Sequence, residues 1–496
     1  AADINKTEYI IPPGNYGFAQ GNFLNGTTNG FLLNGIIRPD NNPFTIKAQG
    51  VTFWFDNMDN AAPKWGRAVY VNNCENLILE GLTIDTYTRN TIEGKLSNID
   101  EQNNRIEITL LPGTFNDEAK ILEYNSIPGS TDYGSQCRII PVKPNGKFIT
   151  PLYNINNTWG PEYLFIKNIT KSAEGKYWLN FRNETLLNTI FTSQWISAYG
   201  NEGTLEIGDG ISLLYKVMGG FIVDNSKQIT IKDCTCYIAK GNISECGGYG
   251  NHKWINLKMI SRPGTNQILG GDGNMSEGLR VGSTFDNCKF GLTSDDAINI
   301  HGFWGIAQSR NANSLLMDRM PSGLRDGDTV QFYNINNGEL RYNYIISSIT
   351  GSQSTDINGN RRNVTISFTT TPDESVVTNN ATIWARYPTA ECANWVIKNS
   401  SFENNYQRIL IQSGPGLFEN NIVSFMGSGL TLTGNFASYE GGFIHNITVK
   451  DNIFLGSTLY PNGNVIQIWF NNKQIPSKWI TGIKIQNNAI IKTFKI

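Results

Sequence analysis

A chain of 496 residues exceeds what one compact core supports, so it forms either one very elongated domain or several smaller ones. Forty Lys and Arg against 42 Asp and Glu leave a formal charge of -2, and only 17% of residues are charged, which excludes a broad polyanion-binding surface and nucleic acid as a partner. No uncharged apolar run reaches the ~18 residues of a membrane span, and seven cysteines, an odd number, do not make a disulfide framework.

The first residues, Ala1-Ala2-Asp3, are of the small type a removed leader leaves behind, so a secreted or periplasmic location is expected, with no membrane partner. Further along, a short segment recurs: apolar alternation, a charged or amide residue, then Asn, Asp or Gly and one more apolar step. It is read at Asn76–Ile84, at Gln228–Cys234, at Trp254–Ile260 and at Ser283–Phe290. Further copies lie at Trp395–Phe402, Leu417–Ile422, Ile447–Phe454 and Ile483–Ile490. Period-2 alternation means strands, and self-similarity at roughly twenty to fifty residues means stacked repeats. One such coil cannot bury its inner face alone, but coils stacked in register at ~4.8 Å can, with Asn, Asp or Gly taking the left-handed corner between two strands. The sequence therefore predicts an all-β chain, a right-handed parallel β-helix.

Two stretches interrupt the ladder, with alternations such as Arg105–Leu110 and Asn363–Phe368 joined by turns. They echo each other in Gly208-Asp209-Gly210-Ile211-Ser212-Leu213-Leu214-Tyr215 and Gly327-Asp328-Thr329-Val330-Gln331-Phe332-Tyr333. Both are expected to be inserted antiparallel β-barrel or sandwich modules. The predicted organisation is N-terminal coils over 1–85, a first insertion over 86–216, central coils over 217–302, a second insertion over 303–390 and C-terminal coils over 391–496.

The chemistry concentrates at Thr293-Ser294-Asp295-Asp296-Ala297-Ile298-Asn299-Ile300-His301-Gly302. Adjacent carboxylates repel, so the Asp295-Asp296 pair is costly as decoration. Strand parity sets Asp295 on the outer face with Asn299 and His301, and Asp296 needs a bend to join them. Gly270-Gly271-Asp272-Gly273 precedes the pair by 295 − 272 = 23 residues, about one coil, and so returns a carboxylate to the same flank. Three carboxylates beside a histidine and an arginine suit acid/base cleavage of a glycosidic bond, one acid for the leaving oxygen and one base for water. Turn capping is the plainer role for any single Asp. Cys234-x-Cys236, Cys246 and His252 superficially suggest zinc, but Cys234 and Cys288 occupy matching ladder positions and read as stacked core thiols, so no metal and no cofactor is expected.

The Asp295–Gly302 motif with its preceding Gly-Asp-Gly resembles the catalytic region of glycoside hydrolase family 110, exo-acting α-galactosidases. Tyr406–Gly416 and Gly434–Gly442 are similar to that family's downstream segments, and a β-helix with two barrel-like insertions is its layout. The resemblance implies an inverting, metal-free enzyme acting on terminal α-1,3-linked galactose, with Asp272 as general acid and Asp295 and Asp296 as the base pair. Related pectin-degrading hydrolases imply instead that the first Asp of the pair is the acid. Asn274-Met275-Ser276-Glu277 departs from the family's aromatic-His continuation and adds an acid. Asn299, His301, Glu277, Arg280, Arg408 and Glu440 are candidate sugar ligands, and Trp304 a stacking platform; each could equally brace the ladder. Alternatives are an endo-hydrolase, a β-helix polysaccharide lyase, disfavoured by the few basic residues beside Asp295, or a glycan-binding protein without activity. A homodimer is compatible with any of these.

Overall fold

A computed structural model describes residues 6–18, 23–24, 27–55, 66–86, 91–111, 139–142, 166–181, 206–214, 218–237, 243–263, 265, 271–293, 295–351, 363–405, 407–424, 426–434, 439–455, 465–468 and 479–491. Gly270, Ser294, Tyr406 and residues 435–438 of the motifs above lie outside that set, as do Tyr215 and Cys137. No helix among the described residues is long and apolar enough to cross a membrane.

Successive coils pair in parallel and build two large sheets, one of eighteen strands and one of ten. This is the right-handed parallel β-helix expected from the repeats, and its inner face carries single columns of apolar residues. One column runs Ile46, Leu79, Ile231, Trp254, Phe285, Ile397, Phe418 and Val449, each paired in register with the next. A second runs Ile84, Cys236, Met259, Phe290, Phe402, Val423 and Phe454. Like rings lie over one another: Trp254 on Phe285 at 6.3 Å between centroids, Phe290 on Phe402 at 5.4 Å. All of these are buried, and each large side chain so removed from water contributes roughly 1.5–3 kcal/mol.

The corners follow the chemistry of Asn and Asp. Asp233, Asn256, Asn287, Asn399, Asn420, Asp451 and Asn487 hold equivalent positions on successive coils, all with φ between 49° and 58°. From Cys288 onward, the inward residues that follow these corners form a relay. Cys288 N donates to Ser400 Oγ at 3.0 Å, Ser400 N to Asn421 Oδ1 at 2.9 Å, Asn421 N to Asn452 Oδ1 at 2.8 Å and Asn452 N to Asn488 Oδ1 at 3.0 Å. Buried backbone donors on one coil are thus satisfied by side chains of the next. Cys234 and Cys288 belong to this same column, with Leu257 on the coil between them, so the thiols match in position without stacking directly.

Two antiparallel modules leave the ladder. Strands within Thr91–Leu214 form a six-stranded antiparallel sheet, and six strands from Trp304–Asn311 to Ile383–Arg386 close into a barrel. The barrel's first and last strands pair with each other, Trp304 opposite Arg386, so the chain leaves and rejoins the ladder at one place. There Arg386 makes a buried bidentate pair with Glu391, at 2.6 and 2.7 Å, packed against Gly302 and Gly442, where any Cβ would meet Glu391 at 2.9–3.0 Å.

Candidate active site

Three adjacent strands of the ten-stranded sheet, Asn274–Glu277, Ile298–His301 and Ile409–Gln412, present the motif residues. Gly273 N donates to Asp296 O at 2.8 Å and Ala297 N to Arg408 O at 2.7 Å, so the residues leading into each strand also stack. Asp272 therefore sits level with Asp296, 24 residues on, rather than with Asp295. A Cβ on Gly273 would lie 2.4 Å from Ala297 O, so glycine is what lets these coils close up. Ala297 and Ile298, consecutive residues, both pack into the apolar core. Alternation breaks there, and this is the bend that turns Asp296 outward beside Asp295.

One carboxylate oxygen each of Asp272, Asp295 and Asp296 falls within 4.8 Å of the others. This is shorter than the ~6.5–9.5 Å separation expected of an acid and a base across a sugar. Successive coils are about 4.8 Å apart, and stacked positions inherit that spacing. Asp296 N donates to Asp272 Oδ1 at 3.2 Å and to Asp295 Oδ1 at 3.1 Å, drawing both toward one point. Arg408 Nε lies 3.3 Å from Asp296 Oδ1, with both side chains largely buried.

Burial, then repulsion from Asp295, Asp296 and Glu440, holds the Asp272 carboxyl well above the usual carboxylate range. Burial likewise pushes Asp296 up to about 8; Arg408 pulls against that shift, while Asp295 and Glu440 add to it. Groups this close titrate together, and burial with mutual repulsion favours their protonated forms.

Behind the cluster, Glu277, His301 and Gln412 are register neighbours on one outward column, all buried. His301 Nε2 lies 3.4 Å from Glu277 Oε1, and Gln412 Nε2 donates to Glu440 Oε2 at 2.8 Å and to Asn299 Oδ1 at 3.4 Å. Glu440 reaches the site because its segment is tied to the start of the barrel: Trp304 N donates to Tyr439 O at 2.9 Å and Gly441 N to Gly302 O at 3.1 Å. Gln412 was not singled out from the sequence, although counting coil positions from His301 would have found it.

Two expected sugar contacts do not fit. Trp304 is 1% exposed and packs among Tyr333, Phe443 and Trp479, stacked on Trp479 at 5.4 Å, so its face is taken by an aromatic cluster shared between the barrel and the C-terminal coils rather than offered to a ligand. Arg280 is drawn out to the barrel as well, where it pairs with the carboxylate of Asp328. The structure brings Asp272, Asp295, Asp296, Asn299, Glu277, His301, Arg408 and Glu440 together and leaves Arg280 and Trp304 as braces of the second insertion.

No protein-family model and no curated protein matches the chain. Three solved structures are similar over nearly its full length. The surface protein and adhesin PfbA of Streptococcus pneumoniae is 11% identical, with 97% of this chain and 90% of that one covered and a TM-score of 0.28. An exopolygalacturonase from Thermotoga maritima is 9% identical, with 97% and 84% covered and a TM-score of 0.23. The Siphovirus 9NA tailspike receptor binding domain is 9% identical, with 99% and 73% covered and a TM-score of 0.22. The fold assignment rests on the strand register and not on these likenesses.

Proposed function

We propose that the chain is a carbohydrate-active enzyme, a glycoside hydrolase using Asp272, Asp295 and Asp296. The observation that carries this reading is a cluster of three carboxyls within 4.8 Å of one another, presented by adjacent coils of one sheet. Asp272, whose carboxyl is held above the usual range by burial and by its acidic neighbours, donates a proton to the leaving glycosidic oxygen. Asp295 and Asp296 orient water, and Arg408 favours the ionised form of Asp296. A water making hydrogen bonds of about 2.7 Å to each of two oxygens bridges a gap of up to ~5.4 Å, so the short spacing still accommodates one.

The motif resemblance narrows the substrate to a terminal α-linked galactose, α-1,3 in the first instance, released with inversion outside the cell or in the periplasm. Glu277 is the departure that would alter which neighbouring sugars are tolerated. Incubation with nitrophenyl α-galactoside and α-1,3-galactobiose tests this, with proton NMR of the first-formed sugar expected to show the β-anomer. Early α-anomer would mean retention, the outcome that carboxyl spacing near 5 Å favours in two-carboxylate enzymes.

One observation favours a lyase: Arg408 stands beside Asp296, a basic residue brought to the pair from the next coil, next to oxygens that could hold a cation. It would need calcium and a uronate, and would yield an unsaturated, ultraviolet-absorbing product. Sugar binding without any product would leave the glycan-binding alternative.

A further inference from the structure

His301 is the one described histidine inside the site, and its ring is fully enclosed. Nδ1 lies 2.8 Å from Gly302 O, and a carbonyl oxygen only accepts, so Nδ1 carries a hydrogen. Nε2 faces the Glu277 carboxylate at 3.4 Å, where a bare lone pair would meet negative charge. Both nitrogens therefore call for a hydrogen, and the ring edge is fixed against Phe303, at 5.3 Å and 88°.

We propose that His301 is a buried imidazolium that sets the proton affinity of the acid cluster through Glu440, a positioning residue rather than a sugar ligand. The charged and titratable groups around it are few. Glu277 faces it from the preceding strand, and the next strand offers only neutral Gln412, which holds Glu440. The thiol of Cys392 donates to His301 O at 3.3 Å, and the Arg386–Glu391 pair beyond Gly302 is internally neutral. Although burial works against the charge, Glu440 and Glu277 hold the His301 imidazolium up to about 9. Glu440 in turn raises Asp272 and Asp296. Removing the positive charge leaves the acids more negative surroundings and a greater proton affinity.

The proposal rests on the hydrolase reading for its kinetic arm and stands free of it elsewhere. The chain has three histidines, which keeps imidazole nitrogen NMR assignable. His252 accepts from Ile229 N through Nδ1 and is therefore neutral, giving an internal contrast. At pH 7.5 His301 is expected to show two protonated nitrogens and to titrate near 9; a neutral tautomer at that pH overturns the proposal. Carboxyl carbon NMR of the cluster should titrate about one pH unit higher in His301→Gln than in wild type, and both limbs of the pH-rate profile should move with it. An unmoved profile with a raised KM would make His301 a sugar ligand instead. Should wild type cleave no galactoside, the hydrolase reading falls, while the two NMR titrations still decide this one. Should His301→Gln not fold, Glu277→Gln serves in its place, with the His301 titration expected to drop toward the ordinary imidazole value.

Discussion

The two large sheets share one coil geometry and treat charge in opposite ways. On the eighteen-stranded sheet, outward lysines and acids form ladders in water: Lys47 with Glu8, Lys289 with Glu403, Lys398 with Asp286 and Lys450 with Glu419, all substantially exposed. On the ten-stranded sheet, the equivalent outward positions hold Glu277 at 2% and His301 at 1% exposure, with Asp296 at 5% beside them. Exposed pairs contribute almost nothing to stability, whereas enclosed ones shift protons. The second insertion packs over part of this face, with Pro321 and Phe303 against Gly278 and Phe303 against the His301 ring, and so encloses charge that the other sheet leaves in water.

The sharpest way to break that contrast is to neutralise the enclosed face. Asp272→Asn keeps the acceptor for Asp296 N and should lower turnover by roughly 10²–10⁴-fold, with the melting temperature unchanged or raised because a repelling neighbour is gone. A loss of stability with activity retained would make Asp272 a turn cap.

The inner relay should respond in the reverse sense. Asn452, 1% exposed, donates to Phe418 O, Lys450 O and Asn488 Oδ1 and accepts from Asn421. Asn452→Ala orphans several of these groups and should cost about 2–3 kcal/mol in a denaturant titration, with turnover per folded molecule preserved.

A pH series sharpens the comparison further. The folded-state carboxyl of Asp296 binds its proton up to about 8 rather than near 3.8, so its contribution to stability is complete below pH 4 and is lost as pH rises toward 8. His301, raised to about 9, contributes fully below 6.5 and loses that contribution as pH rises through 9. Melting temperature should therefore fall from pH 5 to pH 9, and Asp296→Asn should flatten the lower part of that slope. The smallest effect belongs to the exposed ladder: Lys398→Ala should leave the melting curve indistinguishable from wild type and insensitive to salt.

Much of this was legible in the residues. The corner positions could be read because Asn and Asp tolerate left-handed backbone, and apolar alternation marked the inner columns. The position of the acid cluster was legible too, from Asp295-Asp296 and a lone Asp one coil earlier. What alternation could not tell was that Ala297 and Ile298 both turn inward, nor that the coil register matches Asp272 with Asp296 rather than with Asp295. Nor could it tell that Trp304 and Arg280 serve the barrel, since the partners that claim them, Trp479 and Asp328, are distant in sequence. Glu440 was found by motif alone, because its place is fixed by backbone bonds to the start of the barrel.

The pairing of the barrel's two end strands also bears on how the molecule assembles in time. Thr284 pairs with Val396, 396 − 284 = 112 residues apart, so the ladder can extend past that point only by closing a long loop. Once Trp304 is paired with Arg386, the chain connecting the two paired sites shrinks to 304 − 284 = 20 residues on one side and 396 − 386 = 10 on the other. Loop-closure entropy then falls by about 1 kcal/mol, and the stretch still searching is short. Pairing within the second insertion thus lowers the entropic cost of carrying the ladder past Thr284.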